Sequence, residues 1–304
     1  LANASLKTVD DGCNADGGAA AARDFVAAKV DVVVGFLCTD AIEAALPILK
    51  DAGIPTITVG VRTESLTDRR AKTGWLVYRL GPRGDDERNA VATNLTRLWQ
   101  NDLFAIVDDG TIYGREIAET FRAAAEQAAL KPVFVDTFRP QLDNQIGLIG
   151  RLKKAGATRV FAGGDGEDIA IMGRDAEKLG AGMVFAGGEA LRVPQPDVPY
   201  ATGTLMIATP EWSDVADASS LAALQARKIA PDGYVLPAYA AVQIAGAAFE
   251  QSRSQGKPLT EALGAGEFST AIGPTRFDAK GDLSLSPYRV FRFDGTRFVP
   301  AETP

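Results

Sequence analysis

Short runs of valine, isoleucine and phenylalanine alternate with alanine-rich amphipathic stretches along most of this chain. Residues 31–36 form an apolar run typical of a buried strand, and residues 15–28 and 40–51 on either side have the apolar spacing of helices. Because a helical crossover returns the chain to the same end of a sheet, this alternation predicts parallel sheets covered by helices on both faces. It continues to about residue 209.

The pattern changes after that point. Two successive helices are predicted at 217–226 and 234–251, and a hairpin is predicted at 289–299 around an Asp-Gly turn. The length of 304 residues corresponds to about two domains at roughly 150 residues each. We therefore expect an α/β protein with two doubly wound parallel-sheet lobes joined by a hinge.

Proline residues mark where the two lobes are expected to separate. Pro82 lies in the segment 81–84 and Pro210 in the segment 209–214, and both interrupt the alternating pattern. The predicted lobes are an N-terminal lobe of residues 1–82 plus 213–286 and a C-terminal lobe of residues 83–212 plus 287–304.

The composition excludes several classes of function. The chain has no histidine and two cysteines, which excludes His-dependent nucleophile systems, His-ligated zinc or haem, and iron–sulfur clusters on four thiolates. Its net charge of −7 argues against binding to a nucleic-acid backbone. No uninterrupted apolar run reaches the roughly 18 residues of a membrane span. We expect no metal, no cofactor and no nucleic-acid partner.

The two cysteines follow two predicted strands. Cys13 comes after a predicted strand at 6–9, and Cys38 lies at the carboxyl end of the strand at 31–36. If these strands are neighbours in a parallel sheet, both cysteines lie at one edge and within disulfide reach. A disulfide indicates an oxidising compartment such as the periplasm, whereas the alternative is a pair of unpaired buried thiols.

Residues 37–43 form the junction between a strand and a helix. Thr39 or Asp40 can cap this helix, with Glu43 as the partner of a capping box. The N–H groups at a helix start favour an anion, and open α/β sheets bind ligands at the carboxyl ends of their strands. This segment is therefore a candidate ligand site, although an ordinary helix cap explains it equally well.

Three polar residues occupy matching junctions in the second lobe. Tyr113 follows a predicted strand, and its ring can stack on a ligand or its hydroxyl can donate a hydrogen bond. Asp165 and Glu189 each follow a further predicted strand beside glycines. Two carboxylates in one crevice suit an ammonium group, or they can act as the acid and base of a hydrolase such as a glycosidase. Ordinary solvated turns are the alternative.

Several segments carry a resemblance that covers nearly the whole chain. They are Val-Asp-Asp-Gly-Cys-Asn at 9–14, Val-Val-Val-Gly-Phe-Leu-Cys-Thr at 32–39, Ala-Gly-Ile-Pro at 52–55, Ile-Val-Asp-Asp-Gly-Thr-Ile-Tyr-Gly at 106–114, Val-Phe-Ala-Gly-Gly at 160–164 and Phe-Asp-Ala-Lys-Gly-Asp at 277–282. In this order and spacing they resemble the Leu/Ile/Val-binding protein family, the periplasmic solute receptors of ABC importers. The resemblance implies the type 1 periplasmic binding fold.

The resemblance also implies roles for individual residues. Cys13 and Cys38 match the family's disulfide, and Thr39 matches the residue that holds the ligand α-carboxylate. Gly60 matches a backbone carbonyl, and Glu189 an acid, that take the α-ammonium. In the same way, two aromatic residues match a ring that closes over the ligand and a ring that lines its side-chain pocket: Tyr113 and Tyr234.

This sequence departs from the family pattern in three places. Arg62 stands where a threonine commonly binds the amino acid, and Asp165 stands where a tyrosine is common. Arg62 can form two parallel bonds with a carboxylate, neutralise Asp165 or Glu189, or point to solvent. The family's opening strand and helix have no counterpart in this chain, so we expect the first lobe to be incomplete at its N-terminus.

The expected function is that of a periplasmic binding protein that captures a branched-chain or polar amino acid between two closing lobes. The expected partners are the solute and the ABC permease subunits in the inner membrane, and a monomer is expected. The chain carries no recognisable signal peptide. Two alternatives remain: the same fold binding an aromatic or other small carboxylate, an amide or urea, or a ligand-sensing domain of a receptor or regulator. An enzymatic role is not expected, because no nucleophile is evident.

Overall fold

The computed structural model describes residues 5–192 and 197–301 of the chain. These residues fall into two compact units. Unit 1 comprises Leu1–Gly84 and Pro210–Ser286, and unit 2 comprises Asp85–Thr209 and Pro287–Pro304. The chain therefore passes from one unit to the other after Gly84, after Thr209 and after Ser286.

Unit 1 is built on a parallel sheet of three short strands in the order β1-β2-β3. A separate antiparallel pair, β9 and β10, lies near the end of the unit. The elements in chain order are α1 (Ala15–Ala27), β1 (Val33–Gly35), α2 (Thr39–Asp51), β2 (Thr56–Thr58), α3 (Ser65–Asp68), α4 (Arg70–Thr73), β3 (Val77–Arg79), then α9 (Trp212–Val215), α10 (Ala218–Ala226), α11 (Val235–Gln255), α12 (Leu259–Ala265), β9 (Phe268–Thr270) and β10 (Gly273–Thr275).

Unit 2 contains a sheet of seven strands in the order β12-β11-β8-β7-β6-β4-β5. The five strands from β8 to β5 are parallel, whereas β11 and β12 pair antiparallel at the other edge. The elements are α5 (Asp86–Leu98), β4 (Phe104–Asp108), α6 (Ile112–Gln127), β5 (Phe134–Thr137), α7 (Ile146–Lys154), β6 (Arg159–Gly163), α8 (Gly166–Lys178), β7 (Val184–Gly187), a 3-10 helix (Glu189–Arg192), β8 (Leu205–Ala208), β11 (Arg289–Phe293) and β12 (Phe298–Pro300).

The prediction of parallel sheets covered by helices is confirmed in both units. The prediction of a strand at 6–9 is wrong, because the described residues 5–11 contain no strand. Leu6 is 88% exposed, so its side chain is hardly packed against other apolar groups. Without a neighbouring strand, a short apolar run is not stabilised in the extended conformation. As a result, β1 is an end strand of its sheet.

The helices cover the sheets with small and branched side chains. In unit 1, α2 buries Ile42, Leu46 and Leu49 on one face, and this spacing of three and four residues matches the helical period. Helix α11 packs against β1, β2 and α12 through alanines such as Ala240 and Ala241. Alanine allows the close approach of helix to sheet, and this explains why the longest helix is also so rich in it.

A buried ion pair joins the third strand of unit 1 to a distant turn. Arg79 in β3 is fully buried, and its Nε donates to Asp282 Oδ1 over 2.8 Å. Asp282 closes the turn at 278–282, which approaches the strand closely at Gly281. A side chain at Gly281 would meet the carbonyl of Val77 and the guanidinium of Arg70, and its φ of 90° also favours glycine.

The same turn is tied to α3 at the protein surface. Asp68 accepts hydrogen bonds from Arg83, at 3.1 and 3.2 Å, and from Lys280, at 2.7 Å. These cations lower the pKa of the Asp68 carboxyl from 3.8 to about 2.

Cys13 and Cys38 form a disulfide, with their Cα atoms 5.3 Å apart. The bond ties the loop before α1 to the residue that precedes α2, and these two helices pack together extensively. The disulfide therefore closes a loop around α1 and β1, the part of unit 1 that ends the sheet.

We predict that replacing both cysteines with serine lowers the free energy of unfolding by roughly 3 kcal/mol, because a crosslink over 25 residues restricts the unfolded chain. Urea unfolding at pH 7 measures the change. Reductant should lower the stability of the wild-type chain and leave the double variant unchanged. Equal sensitivity of both proteins to reductant would contradict the prediction.

Asp68→Asn provides a test of the surface contacts between Asp68, Arg83 and Lys280. The lowered pKa means that ionised Asp68 stabilises the fold above pH 3.8, and that this contribution is lost as the pH falls towards about 2. The variant should therefore be less stable than the wild type at pH 7, and the two proteins should converge in acid. Denaturant titrations at several pH values measure the difference, and a gap that stays constant in acid would rule out this origin.

Candidate functional site

In unit 1, the start of α2 lacks a side-chain cap. The capping residue is Cys38, whose side chain makes no capping hydrogen bond, and so the prediction that Thr39 or Asp40 caps the helix is wrong. Thr39 is instead the first helical residue, and its hydroxyl shares a hydrogen bond of 2.8 Å with that of Thr63. The positive end of the helix dipole, with this hydroxyl pair beside it, suits an anion.

Gly60 lies between two exposed apolar side chains of the same unit. A Cβ at Gly60 would lie 3.2 Å from the ring of Tyr234 and even closer to Leu37. Tyr234 is 49% exposed and Leu37 is 53% exposed, so both present apolar surface to solvent. A side chain at position 60 would therefore require the Leu37 side chain, and to a smaller extent the Tyr234 ring, to move. The structure thus places the ring of Tyr234 next to the backbone of Gly60, so that an aromatic surface lies close to residue 60.

Arg62 lies in the loop after β2, two residues beyond Gly60. The side chain is half-buried, and the backbone carbonyl accepts a hydrogen bond of 2.7 Å from Gly84 N. Arg79 Nη1 donates to the carbonyls of both neighbours, Val61 and Thr63. The conformation of the backbone around Arg62 is therefore strongly constrained.

In unit 2, one carboxylate links two of the predicted residues. Tyr113 donates its hydroxyl to Glu87 Oε1 over 2.7 Å, and the backbone N–H of Glu189 donates to the same oxygen over 2.7 Å. Gly188 makes this approach possible, because a Cβ there would collide with Glu87 and with the Tyr113 hydroxyl. Burial, and then the neighbouring Glu87 carboxylate, raise the pKa of Tyr113 above its ordinary value.

The carboxylate of Glu189 is held by hydroxyl groups of the same unit. Its Oε1 accepts from Thr209 Oγ1 over 3.1 Å, and its Oε2 accepts from Tyr288 over 3.1 Å. The residue is half-buried at the start of the 3-10 helix. An ionised carboxylate in this position can attract a cationic group.

Asp165 has a different environment. It is exposed, immediately before α8, and its side chain makes no capping hydrogen bond. Asp165 and Glu189 follow β6 and β7, which are neighbouring parallel strands, so both lie at the carboxyl edge of the sheet. Sequence patterns place these two acids correctly at strand ends, but the geometry shows that only Glu189 is supported by a set of hydrogen-bond donors.

Four residues of these groups were missed by the sequence interpretation. Thr63 pairs with Thr39 over 24 positions of sequence, and Glu87 pairs with Tyr113 over 26. Thr209 and Tyr288 pair with Glu189 over 20 and 99 positions. Glu87 lies in the first turn of α5, where acidic residues are favoured in any helix, so the sequence offers no signal that distinguishes it.

Comparison with known proteins identifies the family. A family model described as "Periplasmic binding protein" matches residues 4–297. The chain belongs to this family. Two curated relatives match along nearly all of this chain: a Leu/Ile/Val-binding protein homolog 3 of Brucella melitensis, 27% identical over 98% of this chain and 82% of the relative, and a leucine-, isoleucine-, valine-, threonine-, and alanine-binding protein of Pseudomonas aeruginosa, 28% identical over 95% and 79%.

Solved structures share the type 1 periplasmic binding fold with this chain. A putative branched-chain amino acid ABC transporter protein from Rhodospirillum rubrum has a TM-score of 0.77 at 18% identity, covering 96% of this chain and 86% of that one. A substrate-binding protein from Desulfitobacterium hafniense in complex with Leu has a TM-score of 0.65 at 21% identity, covering 98% and 88%. A solute-binding protein from R. palustris in complex with benzoate has a TM-score of 0.57 at 19% identity, covering 97% and 84%.

Within residues 5–192 and 197–301, none of the helices combines the length and the apolar character that crossing a membrane requires.

The raised pKa of Tyr113 leads to a test of the cluster in unit 2. A tyrosine that is harder to ionise in the fold than in the unfolded chain contributes stability below about pH 10, and this contribution is lost as the pH rises further. Tyr113→Phe should therefore reduce the loss of stability between pH 8 and about pH 11. Urea unfolding at both pH values measures the effect, and an unchanged pH dependence would show that Glu87 and burial do not act on this hydroxyl.

Proposed function

We propose that this chain is the solute-binding protein of an ABC importer and that it captures a branched-chain or polar amino acid. The proposal is supported by the family, by relatives named as binding proteins for branched-chain and small amino acids, and by a polar group in each unit at the carboxyl ends of parallel strands. We expect it to act in the periplasm, where a disulfide is stable, and to deliver its solute to permease subunits in the inner membrane.

Unit 1 is proposed to bind the carboxylate of the solute. The uncapped start of α2 and the hydroxyls of Thr39 and Thr63 provide donors for an anion. Gly60 offers its backbone carbonyl to the ammonium, and the ring of Tyr234 offers an apolar surface to the side chain. This set of a positive helix end, an acceptor and a ring matches the chemistry of a zwitterion with an apolar tail.

Unit 2 is proposed to neutralise the ammonium group. The observation that carries this part is the Glu189 carboxylate, which Thr209 and Tyr288 hold in one orientation. A carboxylate fixed in this way loses little conformational freedom when a cation binds. Tyr113 and Asp165 are proposed to contact the solute as well, the first through its ring and the second through its exposed charge.

A second ligand class, aromatic or other small carboxylates, is favoured by Arg62. A guanidinium can bind a carboxylate with two parallel hydrogen bonds, and a threonine cannot. One solved structure of this fold binds benzoate. A thermal-shift screen of amino acids, benzoates and dicarboxylates separates the two classes, because a ligand at about 100 times its dissociation constant adds roughly 2.7 kcal/mol of stability. We expect the chain to bind solutes without transforming them, so that a bound solute is recovered unchanged.

We predict that Glu189→Ala weakens the binding of leucine by about 2 kcal/mol or more, because the ammonium loses its charged partner. Isothermal titration calorimetry with wild-type and variant chains measures the difference. Glu126→Ala in α6 is the control, because it removes the same charge from an exposed surface ion pair of unit 2. Unchanged affinity in Glu189→Ala, or an equal loss in the control, would contradict the assignment. A wild-type chain that binds no amino acid would contradict the proposed function itself.

A further inference from the structure

Arg79 is unusual because its guanidinium is fully buried and all of its donors have partners in unit 1. Its Nε and Nη2 bond to Asp282 Oδ1 at 2.8 and 2.7 Å. Nη2 also donates to the hydroxyl of Thr67 over 2.5 Å. Nη1 donates to the carbonyls of Val61 and Thr63, at 3.4 and 2.6 Å. Such a set requires the planar fork of arginine, and a lysine ammonium cannot reproduce it.

The carbonyls that Arg79 binds belong to the loop proposed to contact the solute, which we call the 60–63 loop (residues 60–63). Three consecutive carbonyls of this loop are held: Arg79 binds those of Val61 and Thr63, and Gly84 N binds that of Arg62 between them. Because each carbonyl fixes the plane of its peptide, the directions in which the Cα–Cβ bonds of Arg62 and Thr63 leave the backbone are fixed as well. The Thr63 hydroxyl reaches Thr39 as a result.

Asp282 holds the Arg79 guanidinium in the orientation in which it can bind the carbonyls of Val61 and Thr63. Its Oδ1 accepts from Arg79, and its Oδ2 accepts from Thr67 Oγ1 over 2.8 Å and from Arg83 Nη1 over 3.1 Å. Asp282 is 4% exposed, so this ion pair is screened little by water. The turn at 278–282, from a distant part of the sequence, thereby controls the backbone of the 60–63 loop.

We infer that Arg79 and Asp282 are positioning residues for the solute, acting through the 60–63 loop. This inference rests on the proposed function, since Gly60 and Arg62 are ligand contacts only within it. The ion pair does not touch the solute. It holds the peptides that follow Val61 and Thr63, from which the Arg62 side chain and the Thr63 hydroxyl project, and a small rotation of these peptides would misplace both.

The first test needs no ligand. Asp282→Asn and Arg79→Lys should raise the amide hydrogen exchange of Leu66 and Gly84 by roughly tenfold relative to residues 44–50 of α2. These two amides donate to the carbonyls of Thr63 and Arg62, which the variants leave less firmly held. Leu263→Ala is the matched control, since it loosens the buried core of unit 1 beside α12 without touching this network. It should raise exchange in both groups of amides together. If the ratio changes no more in the two variants than in the control, the inference is wrong.

The second test uses leucine as the probe in calorimetry. Asp282→Asn and Arg79→Lys should each weaken leucine binding about tenfold, with Leu263→Ala close to the wild type. In the background of Arg62→Ala the effect of Asp282→Asn should shrink, because the two changes act on the same loop. Additive losses, or equal losses in the control, would overturn the inference. If the wild-type chain binds no amino acid, the proposed function fails, and the exchange ratio then decides only whether the ion pair holds the 60–63 loop.

If only one of Asp282→Asn and Arg79→Lys folds, that variant alone is sufficient for both tests. Circular dichroism identifies a folded variant, and Arg79→Lys retains the charge that Asp282 needs as a partner. Should neither variant fold at neutral pH, hydrogen exchange of the wild-type chain still decides. The amides of Leu66 and Gly84, which donate to carbonyls of the loop, must then open only together with those of β3, and earlier opening would contradict the positioning role.

Discussion

In a parallel sheet the carboxyl ends of all strands meet at the same edge, and this constraint determines where the candidate binding residues of this protein can lie. Thr39 and Gly60 follow β1 and β2 in unit 1, and Asp165 and Glu189 follow β6 and β7 in unit 2. Helices cover the faces of each sheet, so polar groups are accommodated mainly at the strand ends. The two units have different polar groups at this edge. Unit 1 has a helix start with hydroxyl groups beside it, and unit 2 has carboxylates held by tyrosine and threonine.

The buried positive charge of Arg79 in unit 1 is compensated by hydrogen-bond partners and by an opposite charge. An unpaired guanidinium in the core of unit 1 would be prohibitively costly, and Arg79 is tolerated because Asp282, Thr67 and two carbonyls surround it. The consequence is a rigid connection between β3, the turn at 278–282 and the loop after β2. Replacing the pair with apolar residues can preserve stability in a protein core, but it leaves the carbonyls of that loop without donors.

Unit 2 shows a related principle at a partly exposed site. Glu87 accepts from the Tyr113 hydroxyl and from the backbone of Glu189, while the Glu189 carboxylate accepts from Tyr288 and Thr209. Each acid is thus held in its orientation by neutral donors of the same unit. This is the physical difference between Glu189 and the exposed Asp165, although the two occupy equivalent positions at neighbouring strand ends.

Periodicity was sufficient to predict the parallel α/β architecture and most helix and strand positions, because these depend on neighbours in sequence. The pairing of Cys13 with Cys38 was left open by the residues themselves and was implied by the family resemblance. The segment at 6–9 was wrongly predicted as a strand, since an apolar run of this length needs a partner that the sequence cannot specify. Only tertiary structure decided that Asp282 meets Arg79 across 203 residues and that Glu87 meets Glu189 across 102. Hydrogen bonds of this kind leave no periodic trace in the sequence, because each depends on the direction of a single side chain after the sheets have formed.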